Sequence, residues 1–94
     1  LDEGLYEVEI LHASKLKEVW FNSAWNWVRT QWEVAPLELP QAVTAAIEQA
    51  VGSSYLNDEA DYVHTADGDW YLLQIEQGSN ELLLTITPDG QLMQ

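Results

Sequence analysis

The chain repeats part of its own pattern after 65 residues. The segment 5–10, LYEVEI, falls on the segment 70–75, WYLLQI. Without a gap, Val19 and Phe21 then fall on Leu84 and Ile86, and the apolar alternation stays in phase over about 25 residues. A repeat is to be sought before other features because it fixes which segments fold alike. We therefore expect two related halves.

Each copy is expected to form two strands and the start of a third. In 6–10, apolar side chains alternate with glutamates, which is the period-two pattern of a half-buried strand. Gly78-Ser79-Asn80 is a hairpin turn signal within the second copy. Further strands are predicted at 16–21, 60–66, 70–76 and 82–87, and a short last strand at 91–94.

One helix is predicted between the copies, over 40–51. Pro40 suits the first helical turn, where its missing N–H costs nothing, and Gly52 is a natural C-terminal cap. Apolar residues recur at steps of three and four: Ala42, Val43, Ala46, Ile47, Ala50 and Val51. The predicted fold is α+β, an antiparallel sheet with a helix packed on one face.

The two halves are unequal, because no residues stand where a first helix would precede Leu1. We expect one domain over 1–94, with 1–34 as a partial first repeat and 35–94 as the second. The first helix lies outside this sequence, has been lost, or has its place filled by another molecule, and we favour the first of these. A homodimer is one form of the last alternative.

Two segments resemble the PepSY-like proteins. They are WVRTQWEV (27–34) with the following Leu39-Pro40, and DWYLLQI (69–75) with ITPDGQL (86–92). These small secreted or periplasmic proteins of Bacteroidetes have two repeats, each a helix on an antiparallel sheet, similar to the beta-lactamase inhibitor protein (BLIP). The resemblance covers about 85 residues. It implies this fold and location, suggested roles in restraining proteases or in calcium regulation, and no catalytic residues.

The first copy departs from this pattern at one turn. Trp25 stands where the second copy has Gly90. A turn that needs a positive φ favours glycine. We therefore expect the two turns to have different backbones.

The charge of the chain excludes several kinds of partner. Sixteen acidic and three basic side chains give a formal net charge of −13. Such a domain is repelled by phosphate backbones and by anionic membrane surfaces. No apolar run is long enough to cross a bilayer, and without cysteine there is no disulfide, zinc ribbon or thiol nucleophile. A protein partner is expected, and nucleic acid is not.

No pattern of catalytic residues stands out. His12 and His64 occupy unrelated positions of the repeat, and the serines lie in no nucleophile motif. Carboxylates are so numerous that a pair of them carries little information, and solvated charge is the simpler interpretation. We expect a protein that is not an enzyme and needs no cofactor.

Calcium is the one ion that the sequence suggests. Asp58 and Asp61, with Asp67 and Asp69, lie in two oxygen-rich segments that flank one predicted strand. Calcium prefers six to eight oxygen ligands, although neither segment has the EF-hand order. Asp67-Gly68 also suits a tight hairpin turn, so a purely structural role is the alternative.

Tryptophans are the most informative side chains. A sheet covered by one helix layer leaves a second face free, and we predict that Trp20, Trp25 and Trp32 contact a protein partner there. Leu72 and Leu83 are expected to broaden this patch, and the carboxylates around it would favour a basic partner. The alternative is that the tryptophans cover sheet edges or pack against one another.

Overall fold

The structure, a computed structural model, describes residues 4–93. Its strands are β1 (Tyr6–His12), β2 (Lys15–Phe21), β3 (Trp27–Val34), β4 (Leu56–Thr65), β5 (Gly68–Gln77) and β6 (Asn80–Ile86). They form one antiparallel sheet whose strand order equals their order in the chain. A 3-10 turn, Pro36–Glu38, and helix α1, Gln41–Val51, lie between β3 and β4. The predicted α+β class, with a helix on one face of an antiparallel sheet, is confirmed.

Helix α1 ends at Val51, as the sequence predicts, and begins at Gln41, one residue later than predicted. Pro40 caps its N-terminus, and Gly52 ends it with φ 87° and an N–H that donates to the Glu48 carbonyl at 2.8 Å. The centre of the apolar stripe is buried, with Val43 and Ile47 fully enclosed, whereas Ala42 and Ala50 are exposed. Burying a side chain such as Ile47 contributes about 1.5–3 kcal/mol. Within residues 4–93, no helix has the length and apolar character needed to cross a membrane.

The main core lies between α1 and one end of the sheet. It consists of Val43, Ala46, Ile47, Ala60, Leu73, Ile75, Leu84 and Ile86, with Val34, Leu39, Val51, Tyr55 and Tyr71 packed around it. These strand residues come mainly from β4, β5 and β6. The helix therefore covers only that half of the sheet.

The register assigns every strand residue to one of two faces, because directly opposite residues in antiparallel strands point to the same side. We call the side that carries α1 the helix face and the other side the acid face. Outside the core, the helix face holds Tyr6, Val8, Ile10, Lys17, Val19, Phe21, Trp32, Tyr62 and His64. The acid face holds Glu7, Glu9, Glu18, Glu33, Glu59, Asp61, Glu76 and Glu81.

The repeat is present in the hydrogen-bonded register itself. Tyr6 pairs with Phe21 as Tyr71 pairs with Ile86, and each partner is shifted by 65 residues. The remaining β1–β2 pairs follow the β5–β6 pairs with the same shift. The shift even relates the Phe21–Trp27 pair to the isolated bridge between Ile86 and Leu92. Gln94, at the end of the predicted last strand, lies outside the described residues.

The expectation that Trp25 and Gly90 have different backbones is wrong. Trp25 has φ 63° and Gly90 has φ 94°. Each donates its N–H to the carbonyl three residues earlier, Asn22 or Thr87, at 2.9 Å. A left-handed conformation costs a non-glycine residue about 1–2 kcal/mol. Stacking of the indole on Tyr6, with ring centroids 4.4 Å apart, offsets part of this cost.

Strand β4 begins earlier than predicted, at Leu56 instead of residue 60. Its register shifts between Asn57 and Glu59. A bulge of this kind leaves an extra residue, here Asp58, unpaired and keeps the polar residues around it in the ladder. Residues 57–59 are all polar, so no alternation of apolar and polar side chains marks the start of this strand in the sequence.

Gly90→Ala should destabilise the protein more than Gly78→Ala. Both glycines have positive φ, so each variant bears the left-handed strain of about 1–2 kcal/mol. At Gly90 a Cβ would also lie 2.7 Å from the Ala42 carbonyl oxygen of α1, whereas at Gly78 nothing lies within 4 Å. Urea unfolding of the two variants measures the difference. Equal losses would contradict the close approach of α1 to this turn.

Candidate partner-binding surfaces

The structure separates the five residues predicted to form one patch. Trp20, Leu72 and Leu83 lie on the acid face, whereas Trp32 lies on the helix face. Trp25 lies in the β2–β3 turn and packs over Tyr6 on the helix face. The prediction of a single patch is therefore wrong in its geometry.

A bulge in β3 causes this separation. Trp20 pairs with Arg29, but the next pair is Phe21 with Trp27, so Val28 is an extra residue. An insertion of one residue sends every later side chain of the strand to the opposite face. It moves Trp32 from the acid face, where Trp20 lies, to the helix face.

Trp20 packs against the Arg29 side chain on the acid face. The Arg29 guanidinium carbon lies 4.6 Å from the centroid of its ring. Its indole Nε1 is buried and has no hydrogen-bond acceptor among residues 4–93. The Trp20 ring therefore serves mainly to pack the part of the sheet formed by β1, β2 and β3, and less as an exposed contact for a partner.

Leu72 and Leu83 form the apolar part of a shallow pocket on the acid face, which we call the leucine pocket. Its volume is about 210 Å³, and Glu59, Asp61 and Gln74 complete its lining. Leu83 is 67% exposed although it is apolar. The pocket thus exposes apolar side chains next to the carboxylates of Glu59 and Asp61.

Asp61 in this pocket is partly desolvated. Burial raises its pKa, and the Glu33 carboxylate raises it further, while the Gln31 amide, 3.3 Å away, donates a hydrogen bond that lowers it. A carboxylate whose charge is poorly compensated gains from an incoming cation. The leucine pocket thus combines exposed apolar side chains with a partly desolvated carboxylate.

A second group of carboxylates lies at the other end of the acid face. Oxygen atoms of Glu7, Glu9 and Glu18 all lie within 4.8 Å of one another. Burial raises the pKa of Glu18, and the charge of Glu7 raises it further. Arg29 is the only lysine or arginine on the acid face in the part of the chain that the structure describes.

The four aspartates predicted as calcium ligands are not brought together. Asp61 lies on the acid face, and Asp69 lies on the helix face. Asp67 belongs to the β4–β5 turn, where its N–H donates to Thr65 Oγ1 at 3.1 Å, and Asp58 stands in the β4 bulge. In residues 4–93, the group of three carboxylates close enough to share an ion is instead Glu7, Glu9 and Glu18.

Aromatic side chains cover the helix face where α1 does not reach. Trp32 packs on Tyr62 at 4.8 Å between centroids, and Tyr62 meets the edge of Tyr71 at 5.0 Å. Lys17 Nζ lies 4.4 Å above the Trp32 ring. Trp32 thus packs on a tyrosine and a lysine of neighbouring strands, and not on another tryptophan as the alternative for these residues supposed.

Asp69 organises the polar group of the helix face. The Tyr62 hydroxyl donates to its carboxylate, and His64 Nδ1 lies 2.7 Å from Oδ1. The Tyr62 hydrogen bond is the main reason why the pKa of Asp69 is lowered, and His64 lowers it further. Trp27 packs against His64 with ring centroids 5.2 Å apart. His64 thus packs between the Asp69 carboxylate and the Trp27 indole, where its role is structural.

Asp69→Asn should lower the pKa of Tyr62. Burial and then the Asp69 hydrogen bond raise this pKa to about 12. The variant keeps the burial, so its Tyr62 should titrate between the ordinary value of about 10 and the native one. NMR titration of the Tyr62 ring measures this midpoint. An unchanged midpoint would contradict the role of the Asp69 hydrogen bond.

The same shift predicts a loss of stability at alkaline pH. The folded pKa of Tyr62 lies above the unfolded value, so its contribution is complete below about pH 10. It is lost as the pH rises from about 10 to about 12, because only the unfolded chain releases the proton. Urea unfolding of the native protein and of Tyr62→Phe over this range isolates the effect as the difference between their losses, because Tyr55 and Tyr71, whose pKa values burial also raises, titrate in both proteins.

Trp25→Ala should be less stable than Trp25→Gly by about 1 kcal/mol, because both lose the stacking and only glycine relieves the left-handed strain. The φ of 63° is the source of that strain. Chemical denaturation of the two variants measures the difference. Equal stability would mean that the turn relaxes when the indole is removed.

Solved structures share this fold. A DUF2874 family protein from Bacteroides ovatus ATCC 8483 superposes with a TM-score of 0.86 at 24% identity, over 99% of this chain and 69% of its own. A BLIP-like protein from Bacteroides fragilis NCTC 9343 gives 0.86 at 23% identity, over 100% and 68%. A protein from Bacteroides eggerthii DSM 20697, provisionally named as periplasmic, gives 0.87 at 19% identity, over 100% and 70%.

No family model matches the chain, and no curated protein does either. At this level of identity the likeness concerns the fold. The chain has a BLIP-like fold.

Proposed function

We propose that this chain is a non-enzymatic, PepSY-like binding module of the periplasm that docks a basic protein partner on its acid face. The proposal keeps the predicted function and the predicted face, the one opposite the helix, and changes the residues that carry the binding. Leu72 and Leu83 remain in it, while the tryptophans become the packing that supports the sheet.

The observation that carries the proposal is the separation of charge between the two faces. Eight carboxylates project from the acid face, and α1 packs on the opposite side. Lys15 and Lys17 point to the helix face, so they do not neutralise these carboxylates. Complementary charge speeds association and selects the partner.

The leucine pocket supplies the apolar contact that charge alone lacks. Affinity at protein interfaces is concentrated in a few side chains that become fully desolvated. Leu83 is exposed and stands opposite Gln74, whose amide donates to Glu81 Oε2 at 2.7 Å. A lysine or arginine of the partner would lay its stem on Leu72 and Leu83 and its charge beside Asp61.

The names of the similar structures support the proposed periplasmic location and binding role. One neighbour is named BLIP-like and another is provisionally named as periplasmic. The beta-lactamase inhibitor protein for which the first is named gives the fold a precedent for binding a protein. A more specific version of the proposal is that the chain inhibits an enzyme by binding to it.

Leu83→Ala should weaken partner binding about 5- to 30-fold, the range for an interface side chain worth about 1–2 kcal/mol. The partner is first captured from a periplasmic extract on the immobilised chain and identified by mass spectrometry. Calorimetric titration of the purified partner then compares the native chain with the variant. Raising the salt concentration should also weaken binding, since screening acts on the acid face.

Leu37→Ala is the matched control. Leu37 is fully exposed but lies in the 3-10 turn between β3 and α1, away from the acid face. Its substitution should leave the affinity unchanged. A partner that binds Leu83→Ala and the native chain equally would contradict the leucine pocket, and one that is insensitive to salt would contradict the acid face.

Calcium binding stays a second candidate because Glu7, Glu9 and Glu18 converge within 4.8 Å. Calcium would neutralise a charge that burial already disfavours. Thermal unfolding with and without millimolar CaCl₂ tests it. We expect calcium to raise Tm and Glu9→Gln to abolish this increase. If calcium leaves Tm unchanged, this candidate is ruled out.

A further inference from the structure

A second pocket lies beside the leucine pocket, where β3 ends. Its volume is about 410 Å³, and Val34 and Pro36 give it an apolar lining. Its carboxylates are those of Glu33, Asp58 and Glu59. We call it the end pocket. Glu59 also lines the leucine pocket, so the two pockets adjoin, and each combines apolar side chains with carboxylates.

The carboxylates of the two pockets are not neutralised by the chain itself. They are those of Glu33, Asp58, Glu59 and Asp61, and among the described residues no lysine or arginine lines either pocket. Within residues 4–93 none of the four forms an ion pair. Glu33 stands directly opposite Asp61 in the sheet, and like charges at opposite positions destabilise a pair of strands. A cation bound between these strands would relieve the repulsion.

The positions of these carboxylates fit separate cations better than one metal ion. The three carboxylates of residues 4–93 whose oxygens converge within 4.8 Å are Glu7, Glu9 and Glu18, which lie elsewhere on the acid face. Those of the two pockets are spread over β3 and β4. Lysine and arginine carry a charge at the end of an apolar stem, and each pocket offers an apolar lining for such a stem.

The sheet sets the distance between the two pockets. The end pocket lies between β3 and β4, whereas the leucine pocket lies over β5, between residues of β4 and β6. Neighbouring strands are about 4.8 Å apart, so the pocket centres are about 7 Å apart across the sheet. In an extended chain, residues i and i+2 point to the same side and are also about 7 Å apart. Two side chains of one extended segment can therefore enter both pockets.

We infer that the two pockets together bind an extended segment of the partner protein in which one residue separates two lysines or arginines. One basic side chain occupies the leucine pocket and the other occupies the end pocket, on either side of Glu59. Complementary charge selects this segment, and the apolar linings hold its stems. This inference rests on the proposed function and makes it more specific, because it names the sequence pattern that the acid face recognises.

Three blocked peptides of equal length, built on serine and glycine, test the spacing. The first contains arginine–serine–arginine, the second contains two adjacent arginines, and the third contains one arginine. Adjacent side chains of an extended segment point to opposite sides, so the second peptide can fill only one pocket. Titration followed by amide NMR spectra gives each affinity and locates each contact. We expect the first peptide to bind about threefold more tightly than the second, the scale of one exposed charge pair.

Variants show whether both pockets are needed. Glu33→Gln alters the end pocket and Leu83→Ala alters the leucine pocket, and each should reduce the preference for the first peptide over the second. Glu48→Gln is the matched control, because it removes an exposed carboxylate from α1 on the opposite side of the sheet, and it should keep the preference. Glu33→Gln should also unfold at a higher urea concentration than the native chain, since the repulsion from Asp61 is removed.

The outcomes separate this inference from the proposed function. Equal affinities for the first and second peptides would overturn the inference alone, provided that Leu83→Ala still weakens the binding of both. Binding of 1,4-diaminobutane as tight as that of the first peptide would assign the pockets to small diamines and would also overturn it. If no peptide shifts the amide signals of the two pockets at millimolar concentration, the inference fails, and the titration of the captured partner with Leu83→Ala decides the proposed function independently.

Discussion

One short helix on a six-stranded sheet is the constraint from which the rest of this structure follows. A helix with its side chains is about 10–12 Å wide, and neighbouring strands lie about 4.8 Å apart. Helix α1 can therefore cover two or three strands, and it packs mainly on β4, β5 and β6. The other half of the helix face is covered by its own side chains. That is why Trp25 stacks on Tyr6 and why Trp32 packs on Tyr62.

The elements of this fold could be predicted from the sequence because each has a local signal. Alternation marks β1, the Ala-Val-Ile stripe marks α1, and Gly52 ends the helix as expected. The repeat was predictable too, since its period survives in the apolar pattern although few residues are identical. Each of these features depends on the period of a strand or a helix, and the sequence displays that period directly.

The binding surface could not be predicted in the same way, because it depends on single-residue events. The extra residue at Val28 decides that Trp20 and Trp32 lie on opposite faces, and no glycine or proline marks it. At Trp25, tertiary contacts overrule a local preference, since stacking holds a tryptophan in a conformation that usually requires glycine. Leu72 and Leu83 lie on the face opposite the helix, as their alternation predicts, because no bulge interrupts the pairing of β5 with β6.

The strand order also has a consequence for how the chain folds. In a meander every pair joins neighbours in sequence, and tight turns connect most of them. Only β3 and β4 are separated by a long connection, residues 35–55, which includes α1. Closing a longer loop costs more entropy, so the topology favours two three-stranded units that form early and join late. Comparing φ values in β1–β2 and β5–β6 with those at the β3–β4 seam would reveal that order.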